Sequence, residues 1–172
     1  MKQLYLLRHA KSCWKSDFSC DHNRHLNKRG YRAAAKIGKR FAEMQIQPDL
    51  VLCSTATRAQ ETFSGIVEAG GFEWNMKPEP RLYGASANTI LAIIKEYGPA
   101  VNNLMIIGHN PGLEDAAMAL STKGKKSLFD RLYHKVPTGS FISIEFDVPC
   151  FSDVSARSGK LIDFMRPKIE FA

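Results

Sequence analysis

The chain reads as a three-layer α/β sandwich with a mostly parallel central sheet. Three short apolar runs, residues 4–7, 49–53 and 103–107, each lead into a polar turn and then a helix start. The runs are continuous rather than alternating, as in strands covered on both faces. The order β-α-β-α-α-β-α-β-β places helices between the strands, as layered α/β folds require. With 172 residues, 44% of them hydrophobic, the chain can bury the core of one domain over residues 1–172. No repeat, low-complexity segment or interdomain linker interrupts it.

The elements follow in order. Leu4-Tyr5-Leu6-Leu7 forms the first strand, and residues 14–25 form a polar, irregular loop. Asn27 caps the first helix, with Leu26 and Tyr31 spaced for a hydrophobic staple. Tyr31, Ala34, Ala35, Gly38, Phe41 and Ala42 mark its inner face. Strand 49–53 runs into a helix over 56–69, with Ser54 or Thr55 as cap and Gly70-Gly71 as stop. Residues 75–80 are extended and punctuated by proline. Ser86 or Asn88 starts a helix carrying Ile90, Leu91, Ile94 and Tyr97, stopped by Gly98-Pro99. Strand 103–107 leads to Asn110 as cap and Pro111 at the first helical position. Ile142, Ile144 and Phe146 alternate as in a strand, and residues 161–165 supply its partner.

The chemistry lies at the strand ends. The first strand closes on Arg8-His9, the second is followed by Ser54 and, in the next helix's first turn, Arg58, and the third by Gly108-His109-Asn110. Active sites of open α/β sheets sit beyond the carboxyl ends of their strands. An imidazole is a nucleophile or acid–base group near neutral pH, and a guanidinium is a fork for phosphate or carboxylate. Helix starts add backbone donors for anions. Each residue alone has an equally good structural reading. Three equivalent strand ends carrying two His and two Arg point to a pocket for a dianionic phosphoryl group.

This pattern resembles the histidine phosphatase superfamily, the phosphoglycerate-mutase-like enzymes. The matching parts are Leu7-Arg8-His9-Ala10, Ser54 with Arg58-Ala59 and Thr62, and Gly108-His109-Asn110, with Leu26-Asn27-Lys28-Arg29-Gly30 before the first helix. Short length, Arg8-His9-Ala10-Lys11-Ser12 and Val136-Pro137-Thr138-Gly139 resemble its small phosphohistidine phosphatase branch. The resemblance implies that His9 is a nucleophile forming a phosphohistidine intermediate, and that Arg8, Arg58, His109 and Asn110 hold the phosphoryl oxygens. It implies hydrolysis without a metal or cofactor, because two Arg supply the positive charge. Expected substrates are a phosphohistidine-bearing protein or a small phosphorylated metabolite. A phosphate- or phosphoprotein-binding module that keeps the pocket is the reading of another class. The chain departs from the pattern at Ala10, commonly Gly, and at Lys15, where mutases place an Asn. It also has Arg81-Leu82-Tyr83-Gly84-Ala85 where larger relatives carry a proton-donating Glu. Ser12, Lys15 and Arg24 are expected at the rim. Trp14 and Tyr83 either flank the cleft or pack.

Composition bounds the rest. Net charge is +7, but the one dense cluster, Lys123-Gly124-Lys125-Lys126, has no interleaved aromatic residues and reads as a solvated loop rather than a nucleic-acid platform. A basic rim also suits phosphorylated and acidic substrates. No apolar run is long enough to span a bilayer, and the chain enters a strand at once, leaving no room for a signal peptide. Cys13, Cys20, Cys53 and Cys150 follow no paired framework, so a reducing cytoplasm is expected. Cys20-Asp21-His22-Asn23-Arg24-His25 gathers metal-ligand types at no standard zinc spacing, and His134 has no motif around it.

Overall fold

Strand β1 (Lys2–Arg8) lies at the centre of the protein because both its faces are apolar. Leu4 and Leu6 pack on one side of the sheet and Leu7 on the other. The same alternation runs through β4 (Asn103–Gly108), where Leu104 and Ile106 face one layer and Met105 and Ile107 the opposite one. In this computed structural model, which describes residues 1–15 and 19–170, the sheet has seven strands in the order β3-β2-β4-β1-β6-β7-β5. Strands β2 (Leu50–Cys53), β3 (Met76–Pro78), β4 and β1 are parallel neighbours. Strand β6 (Phe141–Phe146) pairs antiparallel with β1 and with β7 (Gly159–Met165), and β5 (Ser121–Gly124) runs parallel to β7. Among the described residues no helix is long and apolar enough to cross a membrane.

Helices α1 (Lys28–Glu43) and α2 (Thr57–Gly70) cover one face of the sheet. Helices α3 (Ala87–Tyr97), α4 (Gly112–Leu120) and α5 (Lys126–His134) cover the other. The expected three layers are therefore present. Asn27 caps α1, its side chain accepting from the Gly30 amide at 2.9 Å. A side chain at Gly38 would put its Cβ 2.3 Å from the Ile66 carbonyl, so glycine is what lets α1 lie against α2. Gly71, at φ 68°, terminates α2 in the left-handed conformation.

Several local expectations are corrected. The buried side of α1 is Gly30, Ala34, Ile37, Gly38 and Phe41, while Tyr31 and Ala42 are exposed. The cap position of α2 is Ala56 rather than Ser54 or Thr55, and Ser54 Oγ accepts only loosely from the Ala56 amide, at 3.3 Å. Helix α4 begins at Gly112 with Pro111 before it, so Asn110 does not cap it; its amide is used elsewhere. The lysine cluster is exposed but is not a loop, since Ser121–Gly124 is an edge strand and Lys126 begins α5. A four-residue edge strand with one buried residue carries no alternation from which to read it. Of the irregular 14–25 segment, residues 16–18 lie outside the described residues.

Candidate functional site

The register of the sheet builds the site. Arg8 is paired with Gly108 across β1 and β4, so the residues that follow, His9 and His109, stand side by side. Their ring centroids are 5.1 Å apart. Ser54 follows Cys53, which is paired with Ile107, and its hydroxyl lies 2.7 Å from His109 Nε2. The turn before β6 closes the back of the site. Gly139 N donates to the carbonyls of Arg8 and His9 at 3.0 and 2.9 Å.

His9 is buried, with 6% of its surface exposed. Its Nδ1 lies 2.7 Å from the Ala10 carbonyl, which can only accept, so Nδ1 carries the proton. Its Nε2 faces Arg58 Nε at 3.4 Å, which can only donate, so Nε2 presents a lone pair. Burial pushes the His9 pKa down to about 3; the Ala10 contact opposes this, and His109, Arg58 and Arg8 reinforce it. The ring is therefore neutral at pH 7, with Nε2 aimed at the guanidinium. His109 is likewise lowered, to about 4, by burial and by Arg58, with Asp21 opposing. Where the Ser54 hydroxyl donates to His109 Nε2, the imidazole proton sits on Nδ1. That Nδ1 and Arg8 Nε are buried without a hydrogen-bond partner among the described residues. An unmet buried donor costs about 1–3 kcal/mol, and such groups concentrate where a ligand completes them.

Arg58 is held on three sides. Its Nε faces His9, while its Nη1 and Nη2 donate to the backbone oxygen and carboxylate of Asp21 at 2.8 and 3.2 Å. Thr62 bonds both the Arg58 carbonyl and the Ala10 amide, tying α2 to the residue after His9. Asp21 also accepts from Tyr83 Oη at 2.6 Å and Arg24 Nε at 3.0 Å. Tyr83 and the two Arg hold its carboxyl at about 2, hence ionised. Tyr83 meets the rings of His109 and His22 edge-on, at 5.6 and 4.9 Å, so it does flank the cleft.

The other expected site residues divide. Asn110 Nδ2 is committed to Glu114 and to the Val136 carbonyl, both at 3.0 Å, so its donors are not aimed at the pocket. Arg8 Nη1 shares that carbonyl, at 2.8 Å. Ser12 and Arg24 are buried rather than at the rim: Arg24 Nη1 donates to Ser12 Oγ at 2.7 Å and its guanidinium stacks 3.5 Å from the Trp14 ring centroid. Lys15 is exposed. Within Cys20 to His25, Asp21 and Arg24 bond each other, while His22 goes to Thr55 and His25 to Glu61. His134 is exposed. The residue that sequence reasoning missed is Asp21. Its only signal was a carboxylate in a loop full of metal-ligand types, and the contact that gives it meaning spans 37 residues.

The depressed His pKa values have a consequence for stability. In the unfolded chain both imidazoles titrate near 6.5, so below that pH the unfolded state binds more protons and folding weakens. Stability should be full above pH 6.5 and decline as pH falls toward 4, by up to about 1.4 kcal/mol per pH unit for each His. Chemical denaturation at pH 6.5 and 5 should show this slope, and His109→Asn should reduce it by about half. An unchanged slope in that variant would contradict the neutral assignment.

Comparison with known proteins identifies the family. Residues 4–85 match the model of the histidine phosphatase superfamily (branch 1). An uncharacterized chloroplastic protein of Arabidopsis thaliana is 37% identical over 129 residues, 70% of this chain and 59% of that protein's length. An uncharacterized protein of Mycobacterium tuberculosis is 32% identical over 94% of this chain and 100% of its own. A crystal structure of an Agrobacterium tumefaciens protein, assigned as the phosphohistidine phosphatase SixA, superposes with a TM-score of 0.79 at 30% identity, covering 96% of this chain and 99% of that one. On full-length similarity of this kind, the chain belongs to the histidine phosphatase superfamily, in its small SixA-like branch.

Proposed function

We propose that the protein is a phosphohistidine phosphatase that works through a covalent phosphohistidine on His9. The observation that carries this reading is the His9 tautomer, with Nδ1–H on the Ala10 carbonyl and the Nε2 lone pair directed at Arg58. A neutral imidazole attacks phosphorus without a separate base. As the Nε2–P bond forms, the bond to the leaving group breaks and takes its electron pair with it. The ring becomes cationic, and the Ala10 carbonyl on Nδ1–H stabilises that charge. Arg8, Arg58 and His109 Nδ1–H offer donors to the phosphoryl oxygens, where the transition state spreads its charge. Water then attacks from the opposite side of phosphorus, the P–Nε2 bond breaks, and His9 leaves as the neutral ring it began as. The water's proton passes to phosphate or solvent. Arg8 and Arg58 supply the positive charge on this route, so we expect no dependence of activity on divalent ions.

The choice of phosphohistidine follows from the carboxylates. An alkoxide leaves poorly unless a group protonates it. Asp21 is ionised and bound to Tyr83, Arg24 and Arg58. Glu61 holds His25 and the Leu26 amide, and Glu114 holds Asn110; Asp115 shares a pocket with His109 but is exposed, and a flat leaving-group dependence would point to it. A phosphorylated imidazole needs no such donor, since it departs as a neutral ring when its second nitrogen is protonated. We therefore expect kcat/KM to fall steeply as leaving-group pKa rises across aryl and alkyl phosphates. A phosphohistidine-bearing carrier protein should be cleaved in excess EDTA. A flat dependence on leaving-group pKa would instead favour a small-metabolite monoester phosphatase with a proton donor. Binding of phosphate without any turnover would favour the binding module.

A further inference from the structure

A groove of about 680 Å³ opens beside the His9 pocket. One wall is the exposed side of α1, where Arg29, Arg32 and Lys36 recur at helical spacing. Lys11, Lys135 and Lys168, from outside α1, also line it. All six side chains are exposed, and none of the six makes a hydrogen bond or ion pair among the described residues. No carboxylate lines the groove. Glu170, next to Ile169 in the chain, is consumed by Arg131 and Arg166. Scattered surface lysines are ordinary solvated groups. Here the charges ring a concavity whose walls concentrate their field.

The groove adjoins the turn that backs the catalytic pocket. Pro137 and Thr138 line it, and they belong to the turn whose Val136 carbonyl holds Arg8 and whose Gly139 amide holds the Arg8 and His9 carbonyls. Its lining also includes the apolar Ala33, Pro137, Pro167 and Ile169, with Ile169 60% exposed. Its only ring is the His134 imidazole, with no Phe, Tyr or Trp, so successive nucleotide bases have no row of rings to stack on. A fully charged polyanion would leave the apolar floor unmatched. Basic walls over an apolar floor fit a protein surface with acidic side chains around an apolar centre.

We propose that this groove docks the protein that carries the phosphoryl group, holding an acidic, centrally apolar segment of it while the phosphorylated side chain reaches His9. The proposal rests on reading the site as a phosphoprotein phosphatase. The test uses the full chain with Arg29→Glu, Arg32→Glu and Lys36→Glu combined, and separately with Lys168→Glu, outside α1. Both are compared with the wild type on a phosphohistidine-bearing carrier protein with an acidic surface and on a small aryl phosphate. The triple variant should lose about tenfold or more in kcat/KM on the carrier, through KM, and the wild-type value should fall with salt. Lys168→Glu should lose less, in the same direction. The aryl phosphate should be cleaved at the wild-type rate. An equal loss on both substrates, or no loss on the carrier, overturns the proposal.

If the wild type does not cleave the carrier, the phosphohistidine reading has failed and the groove is judged by binding. The probe is then a fluorescent peptide of about fifteen residues alternating Glu with Leu. Binding to the wild type that both variants weaken supports the docking surface. No binding, or stronger binding of polyphosphate or oligothymidylate at matched charge, overturns it.

Discussion

In the His9→Ala protein, turnover should fall below about a hundredth of the wild-type rate, because no other group can replace a lost nucleophile. Radiophosphate from a labelled substrate should remain on the wild-type chain after acid-free quenching and be absent from the variant. The fold should survive. His9 is buried, so its removal leaves the Ala10 carbonyl and Arg58 Nε without the ring they face. That costs about 1–3 kcal/mol, a fraction of a normal domain's stability. The variant also removes one imidazole with a pKa held near 3, so part of the acid sensitivity should go with it. Labelled His9→Ala protein, or activity above about a hundredth of wild type, would exclude the covalent route.

The strand ends were legible because each combines an apolar run with an abrupt change of chemistry: Leu7 to Arg8-His9, Cys53 to Ser54, Ile107 to Gly108-His109. Period and composition suffice to find such ends. What they do not contain is register. Nothing local states that Arg8 pairs with Gly108, which brings His9 next to His109. The role of Asp21 was hidden for a related reason. It lies on a short 3-10 turn, Asp21–Asn23, and acquires its meaning only when that turn folds over Arg58. Tyr83 was visible as an aromatic but not as the donor that fixes Asp21. Arg24 was placed at the rim by its charge. The structure buries it because Trp14, Ser12 and Asp21 together replace water around the guanidinium. Strand β5 and helix α5 were missed because Ser121–Gly124 has no alternation and α5 shows only Leu128 and Leu132 buried.

Arg58→Ala should lower kcat/KM by about 10²–10³, the usual cost of one donor that serves the transition state. Arg58 differs from an ordinary surface cation in being buried, with 5% of its surface exposed, and in being oriented at both ends. Asp21 holds the two Nη atoms, and Nε is turned to His9 Nε2. On the proposed route, when Nε2 attacks phosphorus, the Nε–H that faced the lone pair is freed next to a developing oxyanion. The gain is thus larger in the transition state than in the ground state, which is the condition for a loss in kcat rather than in KM alone. Arg58→Lys should not restore the rate. An ammonium is a single point of charge and cannot bridge Asp21 and the phosphoryl group as a planar fork does. Vanadate inhibition should weaken in both variants. A kcat within about tenfold of wild type in Arg58→Ala would mean that Arg8 and His109 carry the oxyanion without it, and that Arg58 serves chiefly to fix the Asp21 turn.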